Sequence, residues 1–93
     1  MIESFADDRT AAIFRGERVR ALPDELQETM RRKLMIIDAA GVLATLKLPP
    51  GNRLEALKGT RKGQWSIRAN SQWRICFRWN DGNAHDVEIV DNH

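Results

Sequence analysis

Cysteine occurs once in the 93 residues, as Cys76; tyrosine does not occur, and histidine occurs only as His85 and His93. A single thiol excludes an internal disulfide and a cysteine-rich zinc site. Two histidines leave little from which to build a dedicated metal centre, and nothing in the pattern calls for a cofactor. No window approaches the roughly 18 consecutive apolar residues of a membrane span. The opening Met1-Ile2-Glu3-Ser4-Phe5 lacks the basic-then-apolar layout of a secretion signal, which predicts a cytoplasmic protein with no membrane role. Repeats, low-complexity tracts and linkers are also missing, so residues 1–93 read as one domain. What is present is ordinary globular composition, with 42% hydrophobic and 30% charged residues.

Charge is unevenly distributed. Residues 1–50 balance eight basic against eight acidic side chains, whereas residues 53–78 carry Arg53, Lys58, Arg61, Lys62, Arg68, Arg74 and Arg78 against Glu55 alone. A basic block of this kind is either a solvated face or the footprint of a polyanion partner.

The first half is helical in pattern. Ile2–Phe5 reads as a short opening strand. Asp7 or Asp8 caps a helix through Arg9–Arg15 that Gly16 closes. Pro23 and Asp24 open a longer helix, with Gln27 placed as in a capping box. Leu26, Met30, Leu34 and Ile37 form its apolar face, and Arg31, Arg32 and Lys33 read as a solvated face. Gly41 can end it, Val42–Leu46 reads as one or two further helical turns, and Leu48-Pro49-Pro50-Gly51-Asn52 breaks the pattern.

The second half alternates with period two. Trp65, Ile67 and Ala69 form one face of a strand, Trp73, Ile75, Phe77 and Trp79 one face of the next, and Val87 and Ile89 that of a third. Asn70-Ser71-Gln72 and Asp81-Gly82-Asn83 serve as hairpin connections. The expected architecture is α+β, with the N-terminal helices packed on one face of a mostly antiparallel twisted sheet and the other face open. Pairing Ala69 with Trp73 sets Arg68 opposite Arg74, an arrangement that like-charge repulsion disfavours unless an anion lies between them. Pairing Phe77 with Val87 sets Arg78 opposite Asp86 as an ion pair. All three tryptophans take inward positions, which assigns them to packing; Cys76 falls on the polar face as an inert thiol, and His85 beside a solvated turn.

Asn52-Arg53-Leu54-Glu55-Ala56-Leu57-Lys58-Gly59, Gly63-Gln64-Trp65-Ser66-Ile67-Arg68, Gln72-Trp73-Arg74-Ile75-Cys76-Phe77 and the closing Val87-Glu88-Ile89-Val90-Asp91-Asn92-His93 together resemble the HigB-type toxins, the "killer protein" branch of the RelE/ParE superfamily of toxin–antitoxin systems. The resemblance spans the whole chain. It implies the RelE-like fold and a toxin that enters the ribosomal A site and cleaves mRNA there. It also implies neutralisation by a HigA-type helix-turn-helix antitoxin, whose complex with the toxin binds operator DNA.

The chemistry of the residues agrees in kind. A metal-independent endoribonuclease uses the RNA 2′-hydroxyl as nucleophile. It must orient that group, offset charge on the phosphorane and move two protons. Lys58, Arg68 and Arg74 can supply the charge, and His93 the titratable group, with Asp91 orienting its ring or acting as a base. By resemblance, Lys58 and Arg74 fall on basic active-site positions, and Asp91 and His93 match a C-terminal Asp-Tyr-His. Lys58, Arg74, Asp91 and His93 are therefore the catalytic candidates, with Arg53, Arg61, Lys62, Arg68 and Asn92 as RNA contacts. Glu55 stands where some relatives carry a catalytic histidine. Asn92 replaces the tyrosine of the pattern; loss of base stacking worth ~1–3 kcal/mol predicts weakened activity. Two alternatives are a ParE-like toxin that binds a protein target such as gyrase, and a decayed toxin that only binds its antitoxin.

Overall fold

The computed structural model describes residues 1–91. Helix α1 (Asp8–Phe14) starts where the Asp7 carboxylate accepts the Thr10 amide at 2.8 Å, satisfying one of the amides that a first helical turn leaves unpaired. It ends ahead of Gly16, whose φ of 84° lies in the left-handed region open to glycine. Helix α2 (Asp24–Ala39) buries Met30, Leu34 and Ile37, with Leu26 packed at the margin of the core.

The capping-box expectation for Asp24 and Gln27 is corrected. Pro23 takes the cap position and Asp24 becomes the first helical residue. The Gln27 side chain turns back instead onto the preceding loop, donating to the Val19 and Leu22 carbonyls and accepting the Val19 amide. The stretch expected to continue as α-helix is a 3-10 helix over Leu43–Lys47, followed by a 3-10 turn over Pro50–Asn52.

Four strands follow, β1 (Glu55–Ala56), β2 (Trp65–Arg68), β3 (Trp73–Asn80) and β4 (Asn83–Asp91), antiparallel in the order β1-β2-β3-β4. The opening segment meets β4 through two parallel bridges, Ile2 with Ala84 and Phe5 with Val87. Farther along, the Ile89 amide donates to Thr10 Oγ1 at 3.0 Å and Arg9 donates to the Ile89 carbonyl at 2.9 Å. The outer edge of β4 is thus covered by segments from the chain's start, which blocks edge-to-edge pairing there.

Register agrees with the sequence on one hairpin and departs from it on the other. Arg68 stands opposite Arg74. Between β3 and β4 the register shifts, and Arg78 pairs with His85, with Asp86 held at a φ of 52° as the extra residue of a bulge. The Arg78–Asp86 ion pair still forms, at 3.7 Å.

Ile13, Met30, Leu34, Ile37 and Leu46 on the helical side meet Ile67, Ile75, Phe77, Val87 and Ile89 of the sheet, each at most 1% exposed. Burial of each such side chain contributes about 1.5–3 kcal/mol before entropy is counted. Trp73 is buried in this core, and Trp65 and Trp79 pack against it. Strand alternation sends Ser66, Arg74, Cys76, Glu88 and Val90 to the opposite face, away from α1 and α2.

Candidate functional site

On that second face the chain between β1 and β2 folds over the sheet and leaves a cleft of about 210 Å³, lined by Glu55, Leu57, Lys58, Thr60, Arg61, Ser66, Arg74, Cys76 and Val90. The walls come from the basic block, and the floor from β2 and β3. A larger hollow, of about 340 Å³, lies between the end of α1 and the start of α2. Its charged lining is mixed, with Glu17, Asp24 and Glu28 beside Arg18 and Arg31, and it holds none of the candidate residues.

Arg74 is the most tightly held cation in the cleft. Its side chain is 11% exposed. Nε donates to Ser66 Oγ at 2.8 Å and Nη2 to the Arg53 carbonyl at 2.9 Å. Ser66 is itself fully buried, so the guanidinium is fixed from below by β2 and from the side by the loop ahead of β1. Arg53 presents its carbonyl from a left-handed backbone with φ 46°, a conformation that costs a non-glycine residue of order 1 kcal/mol. The Glu55 carboxylate lies 3.4 Å from Arg74 Nη2.

The remaining candidates are placed as follows. Lys58 is exposed on the cleft wall. Among the described residues it has no carboxylate partner. Arg61 also lines the cleft, but it pairs with Glu88 at 3.2 Å and donates to Gln64 at 3.0 Å. Its charge is therefore partly committed within the fold. Arg53 and Lys62 are exposed on the adjoining loops.

Arg68 departs from the expected phosphate clamp. Although it stands opposite Arg74, its Nε turns to the Asn70 carbonyl at 3.0 Å, outside the cleft lining. The two like charges are separated because one is drawn into the hairpin turn and the other into the cleft. Asp91 stands opposite Trp73 and accepts from Gln72 Nε2 at 3.2 Å. Strand alternation directs it away from the face of Arg74 and Val90, so it does not line the cleft. Asn92 and His93 lie outside the described residues.

Three residues that sequence reasoning missed organise the site. Ser66 holds Arg74, and Asn52, fully buried, donates to the Leu46 and Leu48 carbonyls. Lys33 donates to the Asn52 side-chain oxygen, which corrects its reading as part of a solvated face. Burial, with Arg32 nearby, lowers the Lys33 ammonium below the usual lysine range. Cys76 is buried in the cleft floor, and burial pushes its thiol up, leaving it a weak nucleophile at neutral pH. Nothing local in the sequence marks Ser66 or Asn52, because their partners come from other elements.

A cation fixed by hydrogen bonds at the bottom of an open cleft, with a second cation on the rim, is suited to a single phosphate group. Among the described residues no cluster of three or more His, Cys, Asp and Glu side chains could hold a metal ion, and no helix is long and apolar enough to cross a membrane.

Comparison with known proteins agrees with this architecture. The chain is similar to YafQ from Escherichia coli, whose crystal structure superposes with a TM-score of 0.63 at 16% identity, covering 98% of this chain and 91% of that one; at that identity the likeness concerns the fold. It is 47% identical over 92 residues to Toxin HigB-1 of Vibrio cholerae, covering 99% of this chain and 88% of that protein. It is 30% identical over 93 residues to Endoribonuclease HigB of Proteus vulgaris, covering both along their whole length. Residues 3–93 match the HigB-like toxin family, described as the RelE-like toxin of type II toxin-antitoxin system HigB. With the helices-on-sheet fold, the basic cleft and the match along nearly the whole chain in agreement, the protein belongs to the HigB family of RelE-like type II toxins, which are paired with an antitoxin.

Proposed function

We propose that this chain is a metal-independent endoribonuclease that cleaves mRNA on the ribosome and so arrests translation in the cytoplasm. A HigA-type helix-turn-helix antitoxin neutralises it and carries the complex to operator DNA. The observation that carries this reading is the seat around Arg74, a fixed guanidinium in an open cleft with Lys58 at its rim. A relative named for endoribonuclease activity aligns along the whole chain.

In this reading the scissile phosphate enters the cleft. The RNA 2′-oxygen attacks phosphorus, the bond to the 5′-oxygen breaks, and a 2′,3′-cyclic phosphate remains. Arg74 and Lys58 offset the charge that builds on the phosphorane, and because Arg74 is already held in place it needs no reorganisation as that charge develops. His93 transfers protons, and Asp91 at the end of β4, which does not line the cleft, acts only by orienting the His93 ring. Asn92 contacts the RNA through its amide, without the aromatic face that a tyrosine would offer for stacking.

Primer extension on mRNA in a translating extract tests this, with the unmodified chain beside His93→Ala, Lys58→Ala and Asn92→Tyr. The expected result is cutting that requires translating ribosomes, disappears with His93→Ala and falls with Lys58→Ala. Restoring the stacking surface with Asn92→Tyr raises cutting by roughly ten- to hundredfold. Equal cutting by the unmodified chain and Asn92→Tyr would remove the role given to position 92. No cutting by any version, with growth still arrested on expression, would replace the nuclease with a toxin that binds a protein target such as gyrase.

A further inference from the structure

Arg74 does not wait in its cleft with an open charge. Of its donors, Nε is committed to Ser66 and Nη2 to the Arg53 carbonyl, and the Glu55 carboxylate lies 3.4 Å from Nη2. The two partners differ in exposure, 11% for the arginine side chain and 57% for the glutamate. The cation is anchored, while the anion can swing away into solvent at little cost.

We infer that Glu55 is a displaceable counterion seated beside the donor an RNA phosphate must reach, a residue that sets how strongly the cleft takes phosphate rather than one that contacts the reacting atoms. This rests on the reading of the cleft as an RNA phosphate site and deepens it. Glu55 lies on the two-residue strand β1, opposite Ser66, so strand pairing brings its side chain over the same floor that holds Arg74. Ser66 and the Arg53 carbonyl hold the arginine without Glu55, and the glutamate, more than half exposed, returns to water when it leaves, so the position of Arg74 does not depend on the pair. Among the described residues Nη1 of Arg74 has no hydrogen-bond partner; a phosphate reaching it meets the charge of the carboxylate beside Nη2, which must swing away, and a neutralised arginine releases fewer counterions when RNA binds. The same residue sharpens selection, because an anion that cannot outcompete a carboxylate at close range is turned away.

The test is binding of a 2′-O-methyl oligoribonucleotide, which lacks the nucleophilic hydroxyl and is not cut, to the full chain and its variants over a range of salt. Glu55→Gln is expected to tighten binding by about two- to fivefold at low salt. It should also steepen the slope of log affinity against log salt by about 0.7, the increment for one further charge facing a single strand. Glu55→Ala, at the same exposed position, gives the same direction. Glu25→Gln, which changes net charge equally on the first turn of α2, leaves both quantities near their starting values. In an Arg74→Ala background the gain from Glu55→Gln falls to that of Glu25→Gln. Binding that is unchanged or weaker in Glu55→Gln, or a gain that persists without Arg74, overturns the counterion role while the RNA reading stands. If the unmodified chain and every variant fail to bind the oligonucleotide, the counterion role and the RNA cleft are abandoned together.

Discussion

Asn52 does more for the site than its type announces. It is fully buried, its amide closes two carbonyls of the turn after α2, and its oxygen receives the Lys33 ammonium. That turn delivers Arg53, whose carbonyl holds Arg74, so a buried amide ahead of β1 fixes the position of the cleft cation on β3. Asn52→Ala leaves two carbonyls and a partly buried ammonium without partners. A fully buried group stranded in this way costs about 1–3 kcal/mol; only the Leu46 contact is fully buried and the other two are partly open to water, so the expected loss is about 2–4 kcal/mol in all, read as a lowered urea midpoint at an unchanged slope. A loss below about 0.5 kcal/mol would mean that water reaches the turn and the amide is not the tie that holds it.

At the scale of elements, the outer edge of β4 depends on two side chains of α1. The Ile89 amide has Thr10 Oγ1 as its acceptor and the Ile89 carbonyl has Arg9 as its donor, so the helix substitutes for a fifth strand. Thr10→Val keeps the shape and removes the acceptor. It should cost about 1–3 kcal/mol and speed hydrogen exchange at the Ile89 amide by more than at the neighbouring Val87, whose amide donates to Ser4 instead. Equal acceleration at both would point to general loosening. This contact also marks what a sequence can and cannot disclose. The faces of α2, β2 and β3 were legible because each element repeats its own period, and Arg68 fell opposite Arg74 because a short hairpin fixes register locally. The bulge at Asp86, the two-residue β1 and the Thr10–Ile89 bond have no period, since each is settled by partners distant in the chain. The candidate site divides in the same way. Lys58 and Arg74 were readable from the basic block and the resemblance, and both line the cleft. Ser66, the hairpin capture of Arg68 and the Glu55 contact needed the sheet to be assembled first.

For the molecule as a whole, the decisive quantity is how much of the basic block remains available to a polyanion. Seven cations crowd residues 53–78, yet Arg61, Arg74 and Arg78 pair with Glu88, Glu55 and Asp86. Arg53, Lys58, Lys62 and Arg68 have no carboxylate partner among the described residues. Each cation that neutralises a phosphate of a single strand contributes about −0.7 to the slope of log affinity against log salt. Four available charges therefore predict a slope of about −3 for single-stranded RNA, rather than the steeper value that all seven would give. The prediction is specific to position as well as number. Lys62→Gln should make the slope shallower by about 0.7, whereas Arg78→Gln, whose charge is already matched by Asp86 across the bulge, should change it far less. A flat salt dependence would show that the block is a solvated face. Equal effects of the two substitutions would show that RNA responds to net charge alone and that the pairing seen across the sheet does not decide which cations it meets.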